Sequence, residues 1–432
     1  MADEILSGLQ RPVIPPRAYR VEDFGAVGDG QTDDRAAIQK TINVANREGG
    51  GRILLGFGKT YFCAGSLVLK SHCEVHLPEN SRICFSSDPD DYTPLVLTRW
   101  EGTECFNYSP MIYAYQAENI ALTGSGCIEG GDEIFREWRP LEKKHNKALR
   151  EMGKAGVPLS QRVFGPGHYL RPSLVQFFGC QRVLLEGLSL RKSPFWMVHL
   201  VSCLEVTATG LDLESENLNN DGIDIESSGH VLVEKCRFQT GDDCIVIKSG
   251  RDEEGWRLGR PSQSILIRKN HISGHNALSI GSEMSGGVRK VLMTDNTLEK
   301  VRSALYFKSS TYRGGVVEDV SIKNTTVGHS EKGLIRFVTN YQGQSDGQNF
   351  PVFRNFTIED LKAREVGEVF EIKGHPQEPI RDVTIRRVEV ENLTGQRDIT
   401  DQDLCLAVAQ NYAERITLEE VTLAGKPIRV VE

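Results

Sequence analysis

The sequence predicts an all-β fold, a right-handed parallel β-helix forming a single domain over residues 1–432, with an N-terminal capping helix. Three observations carry this. One eight-residue phrase recurs from Val183 onward, a second short strand follows it in each unit and aligns with its counterparts, and a stretch of helical spacing ending in three glycines precedes them all.

Taken in chain order, the first element is the cap, expected at about 19–50. Ala36, Ala37, Ile38, Ile42 and Ala45 fall at helical intervals between Asp33 and Arg47, with aspartates at the start and Gly49-Gly50-Gly51 after it, as expected for a helix plugging the end of a solenoid. Ahead of it, ADEILSGLQRPVIPPR has neither the basic start nor the apolar run of a secretory signal. The chain as written is therefore expected in the cytoplasm, and in the periplasm or outside the cell if a leader has been trimmed. His72, Cys73 and His76 lie on an early strand, where packing is the expected role and metal ligation the alternative. About 130–170, a polar Lys/Arg/Glu-rich stretch with a helical segment near Leu141 to Met152 interrupts the pattern. It reads either as a lid on a loop or as a shield over a sheet edge.

From Val183 the phrase is apolar at positions 1, 3, often 6 and usually 8. It begins at Val183, Val206, Val231, Ile265, Val291, Val320, Phe356, Val383 and Ile416, at intervals of 23 to 36 residues. Such alternation is strand periodicity, and a unit this short cannot bury its apolar face unless its neighbours stack on it. In the second strand, Ile225, Ile247, Ile280, Phe307 and Phe337 form an inward column. Asp224, Glu226, Lys248, Tyr306 and Lys308 then share the outer face. Asn270 and Asn296 match in register and are expected to form a turn ladder.

Composition narrows the function. A net charge of -8, from 51 Lys+Arg and 59 Asp+Glu, gives no basic face for nucleic acid. No apolar run is long enough to span a membrane. Ten cysteines never form CxxC, and their strand positions favour buried thiols over disulfides or a zinc ribbon. No oligomeric state is specified.

The register brings Asp221, Asp242 and Asp243 onto two adjacent rungs, with His275 on the next. Three carboxylates this close cannot all ionise freely, so one is expected to hold a proton as an acid while another stays ionised as a base. Glycoside hydrolysis needs that division of labour. Turn aspartates that merely satisfy backbone amides, and a calcium site, are the other readings of the cluster.

At these residues the chain resembles a known family. Asn219-Asn220-Asp221-Gly222-Ile223-Asp224, Gly241-Asp242-Asp243-Cys244, Gly274-His275 and the Lys308 segment resemble the four ordered motifs of the polygalacturonase family of inverting pectin glycosidases. RPSLVQFFGC from Arg171, KSGRDEEGWRLGRPS from Lys248 and GSEMSGGVR from Gly281, which carries Glu283, resemble its bacterial exo-acting members. DFGAVGDGQTDD from Asp23 is shared more widely among pectin-lyase-like β-helices.

The resemblance implies a hydrolase cleaving α-linked galacturonate in pectic glycans by single-displacement inversion. Asp242 is then the general acid, Asp221 and Asp243 hold and deprotonate the water, and His275 tunes the acid. Lys308 binds a substrate carboxylate, with Asn219 and Glu283 as further substrate-binding candidates. Neither a metal nor another cofactor is implied.

Two positions depart from the family pattern, Asn276 for the last residue of Gly-His-Gly and Tyr306 for the arginine of Arg-x-Lys. Tyr306 is expected to line the cleft and offer an aromatic face to a sugar, favouring an alternating or substituted backbone over plain polygalacturonate. Arg302 or Arg313 could restore the missing charge. A β-helix lyase and a non-catalytic carbohydrate-binding solenoid are the alternative functions.

Overall fold

A computed structural model describes residues 1–396 and 398–431. Helix α1 (Ala2–Ser7) packs Ile5 against Leu232, Leu266 and Leu292 on the outside of the coil. Helix α2 (Arg35–Arg47) closes the N-terminal end, burying Ile38, Thr41, Ile42 and Ala45. Ala36 is exposed and Ala37 half-buried, so the sealing face is narrower than the sequence suggests. Asp34, just before α2, accepts hydrogen bonds from the Val27 and Gly28 amides at 2.6 and 2.9 Å.

Behind α2 the chain winds as a parallel β-helix, with 29 strands in one continuous sheet among the described residues. All nine recurring phrases stack in the expected register: Val183 on Val206, Val206 on Val231, Val231 on Ile265, Ile265 on Val291, Val291 on Val320, Val320 on Phe356, Phe356 on Val383, and Val383 on Ile416. The column extends upstream through Ile120 to Cys73. In the second column Ile225 pairs with Ile247, Ile247 with Ile280, Ile280 with Phe307 and Phe307 with Phe337. All five are fully buried in one core running the length of the coil. Asn270 donates to the Asn296 side chain at 3.0 Å, and Asn296 to the Ile267 carbonyl at 3.1 Å, which is the expected ladder.

The ten thiols are free. Seven are buried, Cys84 and Cys127 are partly buried, and Cys405 is exposed, an exception to the buried-thiol reading. Cys73 points into the core while His76 bonds Thr123 at 2.8 Å and His72 sits beside Asn119, so these three do not converge on a metal.

Two excursions leave the coil on the same side. One is an antiparallel hairpin, Val96–Trp100 with Thr103–Asn107, joined by Val163–Phe164. The other holds helices α3 (Glu133–Glu137) and α4 (Arg139–Lys154). Trp100, Cys105, Leu149, Phe164, Leu170, Phe195 and Trp196 form a separate apolar cluster that fastens both to the coil. A fifth helix, α5 (Asp252–Leu258), follows the strand Ile245–Lys248.

Candidate active site

The aspartates project from consecutive turns whose backbones are held in the ladder. The Met197 amide donates to the Asp221 carbonyl at 2.8 Å, and the Gly222 amide to the Asp243 carbonyl at 2.9 Å. A side chain at Gly222 would place its Cβ 2.4 Å from the Cys244 carbonyl oxygen, so the close stacking of the two turns requires glycine there. Asn220 pins the loop from inside: its amide donates to the Ser193 and Phe195 carbonyls, both at 2.8 Å, and its oxygen accepts from Ser215 and the Asn217 amide.

Asp243 is the most tightly held carboxylate. Its Oδ2 accepts from Lys308 Nζ at 2.6 Å, and its Oδ1 from Asn276 Nδ2 at 2.7 Å and Ser279 Oγ at 3.3 Å. Asn276 therefore supplies a hydrogen bond that glycine could not. The side chains of Asp221 and Asp243 are 4% and 2% exposed, whereas that of Asp242 is 27% exposed. Asp242 alone of the three opens toward a large group.

His275 presents Nδ1 to Asp242 Oδ1 at 3.5 Å. Its Nε2 lies 3.1 Å from Arg302 Nη1. A guanidinium only donates, so Nε2 accepts and Nδ1 carries the proton that faces Asp242.

These surroundings separate the carboxyls. Burial, with Asp224, Asp242 and Asp243 nearby, pushes Asp221 well above the usual carboxylate range, outweighing Lys248. Burial also raises Asp242, but His275, Lys308 and Lys248 outweigh it and hold that group at about 2. The free site thus keeps Asp242 ionised and favours a proton on Asp221. Asp242, Asp243 and His275 present ligand atoms within 4.8 Å of one another. The positive charge that a divalent ion would bring there is already supplied by Lys308.

Around this floor the pocket is lined by Asn219, Lys308 and Glu283, as expected, and by Trp196, Lys248, Arg251, Ser282, Tyr341 and Gln342. Glu101 and Arg150 line it from the two excursions. Arg150 and Asn146 of α4 both bond the Glu101 carboxylate, and Arg251 reaches it at 3.2 Å. Glu283 is bound to Arg251 at 3.1 Å and Lys248 at 3.3 Å, which, with Arg313 and Ser282, hold it well below the usual range in spite of burial.

Three expected substrate contacts lie elsewhere. Tyr306 is 7% exposed, with the Arg336 guanidinium 4.2 Å and the Lys308 ammonium 5.2 Å from its ring centre. Its faces are occupied by cations, so it offers no sugar-stacking surface; Trp196 and Tyr341 are the rings in the pocket wall. Arg302 is spent on His275. Arg313 is buried against Asp252 at 2.6 Å and Glu283 at 3.8 Å. The arginine nearest the Tyr306 position is Arg336, one rung further along and paired with it in register.

Known proteins share this fold. The fold matches the crystal structure of a hyperthermoactive exopolygalacturonase from Thermotoga maritima with a TM-score of 0.87 and 35% identity, covering 98% of this chain and 95% of that one. The chain belongs to glycosyl hydrolases family 28. The family model matches residues 166–367, which hold all four site motifs, and a model for rhamnogalacturonase A/epimerase, pectate lyase-like proteins matches residues 18–78 at the cap. A probable polygalacturonase of Vitis vinifera is 27% identical over 405 residues, 89% of this chain and 77% of that protein. The Yersinia enterocolitica family 28 exopolygalacturonase shares the fold at a TM-score of 0.77 and 24% identity, covering 97% of this chain and 78% of that one. Membership of family 28 makes the chain a glycoside hydrolase and sets aside the lyase and the non-catalytic solenoid.

Proposed function

We propose that this family 28 hydrolase is a polygalacturonase that removes residues from the end of α-linked galacturonate chains with inversion. The observation that carries the exo-acting reading is the pocket lining: Glu101, Arg150 and Arg251 share one pocket with the aspartates, where an endo-acting enzyme needs a through-running cleft. The relatives from Thermotoga and Yersinia are themselves exopolygalacturonases.

In the proposed mechanism Asp242 protonates the leaving oxygen, because it is the most open of the three carboxyls. Asp221 and Asp243 line the pocket nearly closed to solvent, which suits them to a water rather than to the leaving group. A proton must reach Asp242 for the acid step. An entering galacturonate carboxylate supplies the means, since it competes for Lys308 and the other cations that hold Asp242 ionised and so raises its proton affinity. Once Asp242 is neutral, one of the negative charges that keep the proton on Asp221 is gone, so the proton passes from Asp221 to Asp242 and Asp221 becomes the base. Inverting geometry sets acid and base about 6.5–9.5 Å apart, with the water between base and anomeric carbon. The carboxylates of the substrate are met by Lys308, Arg251 and Arg150 of the pocket lining, and plain homogalacturonan is the proposed substrate, Tyr306 being covered.

The test is digestion of saturated oligogalacturonates with the products sized by anion-exchange chromatography. Small saturated products from the first time point support the reading. A ladder of intermediate sizes overturns the exo assignment, and products with the ultraviolet absorbance of an unsaturated uronate overturn hydrolysis.

A further inference from the structure

Lys248 ends the strand Ile245–Lys248 and turns its ammonium into the pocket floor, 4.7 Å from the ring centre of Trp196. Its Nζ lies 3.3 Å from Glu283, 3.7 Å from Asp224 and 3.9 Å from Asp221. Glu283 is neutralised independently by Arg251 and Arg313. The two aspartates are placed differently. Among the described residues Lys248 is the cation within 4.0 Å of either, and both oxygens of Asp224 and Oδ1 of Asp221 are buried without a hydrogen-bond partner. Two such carboxyls beside one shared ammonium do not both ionise, and their titration is a property of the pair.

We propose that Lys248 and Asp224 are positioning residues which together set when Asp221 is ionised, the ammonium favouring the ionised base and the second carboxyl opposing it. This rests on the reading of Asp221 as a water-holding base. The raised proton affinity of both Asp221 and Asp224 agrees with it, burial being the largest cause in each.

Other charges face the pair. Glu226 on the same strand is bonded to His199 of the preceding coil at 2.8 Å and lies 3.5 Å from Arg99 of the hairpin. Asp242 and Asp243 face it from the following turn, with Lys308 behind Asp243. These stay constant when Lys248 or Asp224 is changed.

The experiment is the pH profile of kcat, measured with saturated trigalacturonate in excess so that it reports the enzyme–substrate complex, for wild type, Lys248→Met, Asp224→Asn and the double variant. An opposite charge at this distance moves a carboxyl by about 1–3 units. Lys248→Met should therefore shift the acid limb to higher pH by at least about one unit, a tenfold loss on the acid side. Asp224→Asn should shift it to lower pH, and the double variant should fall between them. Lys248→Arg keeps the charge and should keep the limb near its wild-type position.

Opposite shifts support the inference, whereas unmoved limbs, or two shifts in one direction, overturn it. If Lys248→Met fails to fold, Asp224→Asn decides alone, a downward shift supporting and an unmoved limb overturning. Asp221→Asn separates the two levels: if that variant stays active, the assignment of Asp221 as base falls. If it is inactive while the other limbs do not move, only the present inference falls.

Discussion

Replacing Lys308 by methionine tests how the site holds its charges. Lys308 Nζ sits 2.6 Å from Asp243 Oδ2 with both side chains 5% exposed or less. Asn276 and Ser279 would still donate to Asp243, but its counter-charge would be gone. Removing one partner of a buried pair costs about 3–5 kcal/mol, because the remaining charge stays buried and uncompensated. Asp243→Asn strands the ammonium instead, yet the Tyr306 and Tyr341 rings remain 5.2 Å away and each offers roughly 0.5–2 kcal/mol of cation–π attraction. Its loss should lie at the lower end of the same range. The double variant has neither charge and should be less destabilised than the sum of the singles by about 2 kcal/mol or more. Urea unfolding at neutral pH, with a shared m-value, measures this cycle. Additivity within about 0.5 kcal/mol, or singles that each cost under about 1 kcal/mol, would refute the argument.

Other outcomes follow from the same geometry. Asp242→Asn should fold and lose about 10²–10⁴-fold in kcat, as expected for removal of a general acid; retention of more than about a tenth of the rate would remove Asp242 from that role. Because Asp242 is held at about 2 against an ordinary 3.8, its ionised form stabilises the fold above the ordinary value, and that contribution is lost as pH falls toward 2. The stability gap between wild type and Asp242→Asn should therefore narrow across that window, as thermal unfolding at a series of pH values would show. Arg150→Ala removes a wall residue and its bond to Glu101, and should convert part of the product to intermediate sizes; an unchanged profile places the wall elsewhere. Tyr306→Arg puts a second guanidinium where Arg336 already lies 4.2 Å from the ring centre, so it should lower stability without improving activity on homogalacturonan.

The coil was legible because its signal is repeated and local. Each phrase alternates with strand period, and the inward column from Ile225 to Phe337 follows from aligning five short strands. The same alignment brings Asp221, Asp242, Asp243 and His275 together. What escaped it depends on contacts distant in sequence. The alignment gives only an outward direction, whereas Asp224, Glu226 and Lys248 are buried, Lys248 beside Trp196 of the separate apolar cluster and Glu226 beside Arg99 of the hairpin. Arg150 lies in the Lys/Arg/Glu-rich stretch whose sequence reads as a lid or as a shield over a sheet edge, and only the fold turns it onto Glu101. Arg336 was missed because it occupies the neighbouring rung. The Val96–Asn107 hairpin did carry a signal: Glu101-Gly102 is a two-residue turn with φ of +41° and +85°, the pairing of strands around X-Gly that marks a tight hairpin.

Proton NMR of the first product released from reduced-end-labelled saturated trigalacturonate tests the central claim most directly. An inverting, exo-acting hydrolase must give a saturated galacturonate product in the β configuration, with the α signal growing in only as mutarotation proceeds. An initial α product would contradict the single displacement and the division of roles among Asp221, Asp242 and Asp243.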